Sequence, residues 1–554
     1  MMTEGEFGLS AAQQRLWYMS QLEPESPFYN ITLPMVLEND TNSLALYEAL
    51  NALVRRHDIL HTRYPIIEGR VAQEVVDPQD WHVEKIPFSV TGGDCEEKAS
   101  NIAATIARYP VDLHNGPVFR AFYAPLDEGK SLLVLLTHHI ATDQTSINIL
   151  IQELDLIYQQ IAEGKAYSLS PVAPYKEYVD FESQRFEKQK QKLYDYWDRQ
   201  LAKDFTPIPL PYEAPLQANR SRMGREKIAF VENDRLQQFR TWCRKEQATE
   251  FAGLLTLWGL LIGAWSNQNR FFIATTTAFR EKVKFRQSLG CFINTLAIYH
   301  QFTDEQDVSS LLRLNEASII ESFEHRAMTY EKLIERNRQV HQRNIDDPVN
   351  VYIQYQPRKM SHDSRLSKRF SPIINVHNGR AKFPIIMNIS DWNSYLHCTI
   401  EYEEALFSDK SITGLLNAFQ HLIDLVTENP YIAISEIIFA LRHQLPVANT
   451  PAPCTDETEN NPEIARHTHA EKIKQPLRLI WQQILGDDSG SDDEDFFLAG
   501  GNSLLLTQLL WHINQRFQLS IPLREIYRRT RFDEMVSLIS KHILTTQNPE
   551  RKHA

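Results

Sequence analysis

The 554-residue chain carries a formal net charge of -13, with 42% hydrophobic and 23% charged residues. That length exceeds what one core organises and suggests roughly three or four domain-sized units, and the acidic balance argues against nucleic acid or an anionic membrane as partner. Cys95, Cys243, Cys291, Cys398 and Cys454 stand far apart without a C-x-x-C pair, so neither a disulfide framework nor a metal site is expected. The N-terminus has acids where a signal peptide needs lysines, and the longest apolar run, 251–265, is shorter than the ~18 residues of a membrane span, which leads us to expect a cytoplasmic protein.

In chain order, Ser10-x-x-Gln13 is a capping-box pattern opening a helix over 10–22. A second helix is expected over 44–59, running into Arg55, Arg56, His57, Asp58, Ile59, Leu60, His61, Thr62, Arg63 and Tyr64, where cations complement the helix dipole. The run Leu132–Leu136 is short enough for a core strand, and Ile147, Leu150, Leu154, Ile157 and Ile161 recur at helical spacing. Between them lie His138, His139, Asp143 and Gln144, on a strand-to-helix turn that can hold polar groups rigidly at a cleft. Adjacent residues leaving a strand point to opposite sides, so one histidine can serve as a base while the other is structural. Asp143, ahead of an apolar helix, reads as a cap.

Residues 175–201, dense in Lys, Glu, Gln and Tyr, read as a solvated helix joining two halves. A buried helix at 251–265, a strand at 271–276 and the segment Leu289-Gly290-Cys291-Phe292-Ile293-Asn294-Thr295 follow. Polar, Pro-containing sequence without apolar periodicity then marks a linker over 444–470. Beyond it about four helices are expected, with Leu477, Ile480, Trp481 and Leu485 spacing the first. Ser503, in Gly500-Gly501-Asn502-Ser503-Leu504, reads locally as an N-cap. A hydrolase elbow, G-x-S-x-G, would need glycine where Leu505 stands.

Several of these segments, taken in register, resemble nonribosomal peptide synthetase condensation domains. Leu9–Pro24 resembles the first motif, and Arg55–Tyr64 resembles RHExLRTxF with Asp58 for glutamate and His61 where arginine is usual. His138–Gln144 resembles HHxxxDG with Gln144 for the glycine; Tyr175, Tyr178 and Tyr196-Trp197 are in place, and Leu289–Thr295 resembles IGxFVNT. HRAMTYE at 325–331 and Phe383-Pro384 are degraded matches to HQDVPFE and Phe-Asp. Phe496-Phe497, Gly500-Gly501 and Ser503 resemble the FFxLGGxSL motif of peptidyl carrier proteins, with Trp481 and Pro522 also matching.

The resemblance implies an α/β condensation domain of two chloramphenicol-acetyltransferase-like halves in a V, 1–178 and 179–443, and an all-α four-helix carrier over 471–548. His139 would be the base, a neutral imidazole accepting the proton of an attacking amine near pH 7. His138, Asp143, His61 and Arg63 would support its loop: the family's arginine pairs with the motif aspartate, leaving His61 or Arg63 for that task. Gln144 and Asn294 would line the tunnel or pocket. Ser503 would carry 4′-phosphopantetheine, consistent with the affinity of helix N-terminal amides for phosphate. The implied reaction is amide formation between a carrier-bound acyl or peptidyl thioester and an amine. Its partners would be an upstream donor carrier, an adenylation enzyme acting in trans and a phosphopantetheinyl transferase. The alternatives are condensation with a free small-molecule amine, or an inactive recruitment platform bearing a carrier. A coenzyme A dependent acyltransferase would not need the fused carrier, and heterocyclisation domains have aspartate where His138 stands.

Overall fold

The structure, a computed structural model, describes residues 6–86, 94–203, 205–215, 222–341, 348–357, 370, 379–442, 444–445, 467–486 and 489–547. Helix α1 (Ala11–Leu22) begins where Ser10 Oγ accepts from Gln13 N and the Gln13 side chain accepts from Ser10 N. This is the expected capping box, and such a cap contributes about 1 kcal/mol. Strands β1 (Asn30–Leu37), β2 (Glu84–Lys85), β3 (Phe119–Pro125) and β4 (Ser131–His138) form a sheet in the order β1-β4-β3-β2. All pairs are antiparallel except β2 with β3.

The apolar run in β4 is continuous because both its faces are covered. Leu133 and Leu135 join the core formed with α2 (Ser43–Arg56) and α4 (Gln144–Ala162), while Leu132, Val134 and Leu136 pack on α3 (Cys95–Ile106). Helix α2 stops earlier than the expected 59. His57 leaves helical geometry and its Nε2 lies 2.7 Å from Glu153 Oε2 of α4, after which Asp58–His61 form a separate 3₁₀ turn.

Helix α5 (Tyr175–Leu201) has the expected span and a solvated face, but its other face is buried. Tyr175 and Tyr178 near its start belong to the core of the first half, whereas Phe186, Leu193, Tyr196, Trp197 and Leu201 pack into the second. The division expected at 178 therefore falls inside one helix that is common to both halves.

The second half contains α6 (Asn233–Lys245), α7 (Glu250–Ser266), α8 (Val308–Glu324), α9 (Tyr330–His341), α10 (Asp409–Glu428) and α11 (Ile434–Leu441). Its sheet comprises β5 (Gly224–Glu232), β6 (Arg270–Ala278), β7 (Ile293–Gln301), β8 (Val351–Gln356), β9 (Ile385–Asp391) and β10 (Tyr395–Glu403), in the order β5-β10-β9-β8-β6-β7. The apolar α7 is buried almost throughout, as a core helix. No single helix among the described residues is long and apolar enough to cross a membrane, and α6 with α7 reaches that length only as a pair bent by 104°.

Tyr175 also ties the halves directly, its hydroxyl lying 2.9 Å from Ser10 Oγ and donating to Cys291 O at 2.5 Å. Gly290 makes this approach possible: a Cβ there would sit 2.0 Å from the tyrosine ring, and its φ of +153° is also outside what other residues readily adopt.

The carrier consists of α12 (His467–Leu485), α13 (Ser503–Phe517), α14 (Leu523–Tyr527) and α15 (Phe532–Gln547). Trp481 centres its core, edge-on to Phe496 and Phe532 at 5.1 and 5.3 Å. Helix α12 starts inside the stretch read as linker, most of which lies outside the described residues. The carrier is seated on the larger part of the chain: Tyr527 meets Tyr18 of α1 edge-on at 5.5 Å, Trp511 lies against Gly69, and Phe497 sits under the Arg338 guanidinium of α9 at 4.5 Å.

Candidate active site and carrier seat

Strand β4 ends at His138, opposite Asn30 of β1, and His139 N donates to Tyr29 O at 2.9 Å. Strand alternation then sends the two imidazoles apart. The His138 ring is buried edge-on to Tyr29, its Nδ1 accepts from Ile140 N at 3.1 Å, and burial pushes its pKa down to about 3. It is a neutral structural group.

His139 turns into a chamber of about 170 Å³. Its Nδ1 lies 3.1 Å from the Thr142 carbonyl, which can only accept, so Nδ1 carries the proton and Nε2 presents a lone pair. Burial, followed by the Lys382 charge, holds the imidazole well below its usual pKa. The ring is therefore neutral at pH 7, the state a base requires. Lys382 Nζ lies 3.5 Å from Nε2.

Asp143 caps α4, its Oδ1 accepting from Ser146 N at 2.7 Å, while its Oδ2 accepts from Phe292 N of the other half at 3.1 Å. The cation on it is Arg280, at 2.9 Å, which also donates to the carbonyls of Phe285 and Ser288. Neither residue expected to pair with Asp143 does so. His61 Nδ1 lies 2.5 Å from Val76 O, and Arg63 forks onto Glu74 at 3.0 and 2.9 Å, because both belong to a segment that pairs with the short strand Gln73–Val75. Arg280 lies 137 residues beyond Asp143, outside any motif read in the sequence, so no local spacing announces the pair.

Asn294 lines the chamber, but its amide is committed to structure. Nδ2 donates to the Arg326 and Met328 carbonyls and Oδ1 accepts from Tyr330 N, which fixes the start of α9 against β7. Gln144 departs from expectation. As the first residue after the α4 cap it faces solvent, donates to Asn148 Oδ1 at 3.3 Å, and lines neither of the two cavities at the site.

At the carrier, the cap of α13 is Asn502, whose Oδ1 accepts from Leu504 N and Leu505 N at 3.1 and 3.0 Å. The local reading of Ser503 as N-cap is thereby corrected, since its neighbour does that work. The Ser503 hydroxyl makes no hydrogen bond among the described residues and borders a second cavity of about 270 Å³. Arg15, Tyr29, Glu331 and Lys382 line both this cavity and the His139 chamber, so the serine and the histidine open on adjoining spaces.

The family described as the condensation domain matches residues 3–442, most of the chain. The chain belongs to the condensation-domain family. Behind this condensation domain, residues 475–539 match the family described as a phosphopantetheine attachment site. Among curated proteins, one linear gramicidin synthase polypeptide of Brevibacillus parabrevis is 24% identical over 441 residues, 78% of this chain and 6% of that protein. A second linear gramicidin synthase polypeptide of the same organism is 24% identical over 516 residues, 92% of this chain and 10% of that protein. Phosphinothricin tripeptide synthetase PhsC of Streptomyces viridochromogenes is 25% identical over 425 residues, 74% and 38% of the two chains. The chain thus spans a minor part of the relatives it matches.

Among solved structures, the X-domain from teicoplanin biosynthesis superposes with a TM-score of 0.69 at 17% identity, covering 78% of this chain and 98% of that one. A four-domain nonribosomal peptide synthetase gives 0.69 at 18%, covering 78% and 34%. These likenesses fix the fold of the condensation domain as the expected paired α/β architecture. The carrier residues fit a phosphopantetheine group: Ser503 offers a hydroxyl spared from capping, at a helix N-terminus whose amides favour phosphate, beside a cavity leading toward His139. When bound, that group supplies a thiol on which an acyl or aminoacyl unit rides.

Proposed function

We propose that this condensation domain joins a carrier-bound acyl or peptidyl thioester to an amine, forming an amide, and that the amine arrives as an aminoacyl group on Ser503. One observation carries the reading: Ser503 borders a cavity that shares Arg15, Tyr29, Glu331 and Lys382 with the chamber of His139. An amine attacking a thioester must lose a proton, and the neutral His139 presents an acceptor nitrogen to receive it. That nitrogen faces Lys382, which also lines the Ser503 cavity, so the proton donor is best supplied from the carrier's side. The acyl donor would then come from a separate upstream carrier.

Only residues 443–474 separate the two family matches, too few for an activating domain between them. As part of the same proposal, Ser503 is loaded in trans by an adenylation enzyme, after a phosphopantetheinyl transferase has primed it. Incubation with that transferase and coenzyme A is expected to add one phosphopantetheine by intact mass to the wild type and none to Ser503→Ala. The primed protein is then given ATP and amino acids, next an adenylation enzyme, and finally a loaded donor carrier. Aminoacylation without the adenylation enzyme would overturn loading in trans. Full amide formation by Ser503→Ala with a free amine would show that the attached carrier is not the amine source.

A further inference from the structure

We propose that Lys382 is a further catalytic residue, its ammonium receiving the negative charge that develops on the thioester carbonyl oxygen as the amine attacks. The proposal rests on the amide-forming reading above. Attack at a thioester carbon creates two needs at neighbouring atoms: the nitrogen must shed a proton and the oxygen must be met by positive charge. His139 Nε2 answers the first. Lys382 Nζ, 3.5 Å away in the same chamber, is placed for the second.

Other polar groups of the chamber are less well suited. The Asn294 amide is consumed by backbone groups, and Arg15 is directed to Thr295 at 3.4 Å and over the Tyr330 ring at 5.5 Å. The base of the lysine is firmly held: its backbone N donates to Glu401 Oε1 of β10 at 3.0 Å, and the next residue, Phe383, stacks on Tyr352 at 3.5 Å. Burial lowers the lysine pKa while the Glu401 charge opposes that shift and favours the ammonium. The ammonium lies at the His139 lone pair, and a side-chain rotation about this fixed backbone carries it to the carbonyl oxygen.

The step balances without another reagent. The amine lone pair forms the N–C bond, the carbonyl π pair moves onto oxygen facing Lys382, and His139 Nε2 takes the N–H proton. The oxygen pair then reforms the carbonyl, the C–S bond breaks, and the departing thiolate takes the proton from His139.

The test uses an acyl-N-acetylcysteamine thioester and an amine that the wild type couples. Lys382→Met is expected to lose roughly 10²- to 10³-fold in kcat, with the KM for thioester within about threefold, as for loss of one oxyanion donor. Lys382→Cys treated with 2-bromoethylamine, which restores an ammonium on a stem of similar length, should regain much of the rate, with treated wild type as control. Binding gives a second readout: Lys382→Met should weaken an anionic phosphonate analogue of the tetrahedral species far more than a neutral amide analogue. The acid limb of the rate should also move to higher pH, because one charge that depresses His139 is gone. The other charged groups lining the chamber with that ring are Glu401 on β10, Arg15 on α1 and Glu331 on α9, and these, like the adjacent His138, are unchanged in the variant. Wild-type kcat in Lys382→Met, or equal weakening of both analogues, would overturn the proposal. If His139→Ala is also fully active, the amide-forming reading of this chamber fails with it; if His139→Ala is dead, only the role of Lys382 falls.

Discussion

The two adjacent histidines differ in what surrounds them, and that difference sets what each substitution does. His139→Ala removes the one imidazole whose acceptor nitrogen faces the chamber, and a loss of roughly 10²- to 10⁴-fold in amide formation is expected with little change in Tm. His138→Ala removes a packed, neutral ring and its bond to Ile140 N, so the main effect should be a lower Tm. A folded-state pKa well below the ordinary histidine value also fixes a sign: the wild-type rate should hold as pH falls through about 6.5, and fail only further down. Parallel rate and thermal-melt measurements on both variants check this, and equal mild losses in both would favour the inactive-platform alternative. At this scale the sequence is informative where chemistry follows from alternation along a strand, as with the histidine pair. It misleads where a side chain's neighbour decides its job: Asn502 relieves Ser503 of capping, and nothing in Ser503 itself reveals that.

Between elements, the junction of Asp143 and Arg280 bolts the start of α4 to the segment that leads into β7. The pair is nearly sealed from solvent, with side chains 2% and 10% exposed. Arg280→Met should cost about 3 kcal/mol by leaving a buried carboxylate with neutral partners only, the Ser146 and Phe292 amides and the Ser146 hydroxyl. The measurement is a thermal melt of Arg280→Met, Asp143→Asn and the double variant, the last being expected to lose less than the sum of the singles because the charge it leaves unpaired is gone. Additive losses would show that the two side chains act independently. Helices and strands with strong periodicity were legible at close to their final bounds: α5 over 175–201, α7 within a residue of 251–265 at each end, and the core of β4. Their partners were not. The aromatic residues of α5 sit in a charged sequence whose composition suggests solvent, yet two separate cores bury them, and a contact between distant segments leaves no trace in local spacing.

At the scale of the whole molecule, the seated carrier presents a conflict of access. Ser503 faces the cavity beneath it, whereas a transferase or loading enzyme must reach the same hydroxyl. The seat includes the Tyr18–Tyr527 ring pair, worth on the order of 1 kcal/mol, and the packing of Trp511 on Gly69, so removing both contacts should shift the balance toward release. Trp511→Ala combined with Tyr527→Ala should enlarge the radius of gyration in solution scattering and lower condensation of a carrier-bound amine roughly tenfold, while priming of Ser503 proceeds at least as fast as in the wild type. An unchanged scattering curve and rate would show that these contacts do not hold the carrier. Such traffic also bears on the free margins of the sheets. Pro34 lies in β1, the outermost strand of its sheet, and a proline there withholds a donor that an incoming strand would need. At the border of the other sheet, Arg225 and Lys227 of β5 are tied to Glu404 and Asp409. These two of the four margins therefore resist strand-by-strand growth onto a second molecule, which closes two routes by which a protein that repeatedly meets other proteins could fuse with them into aggregates.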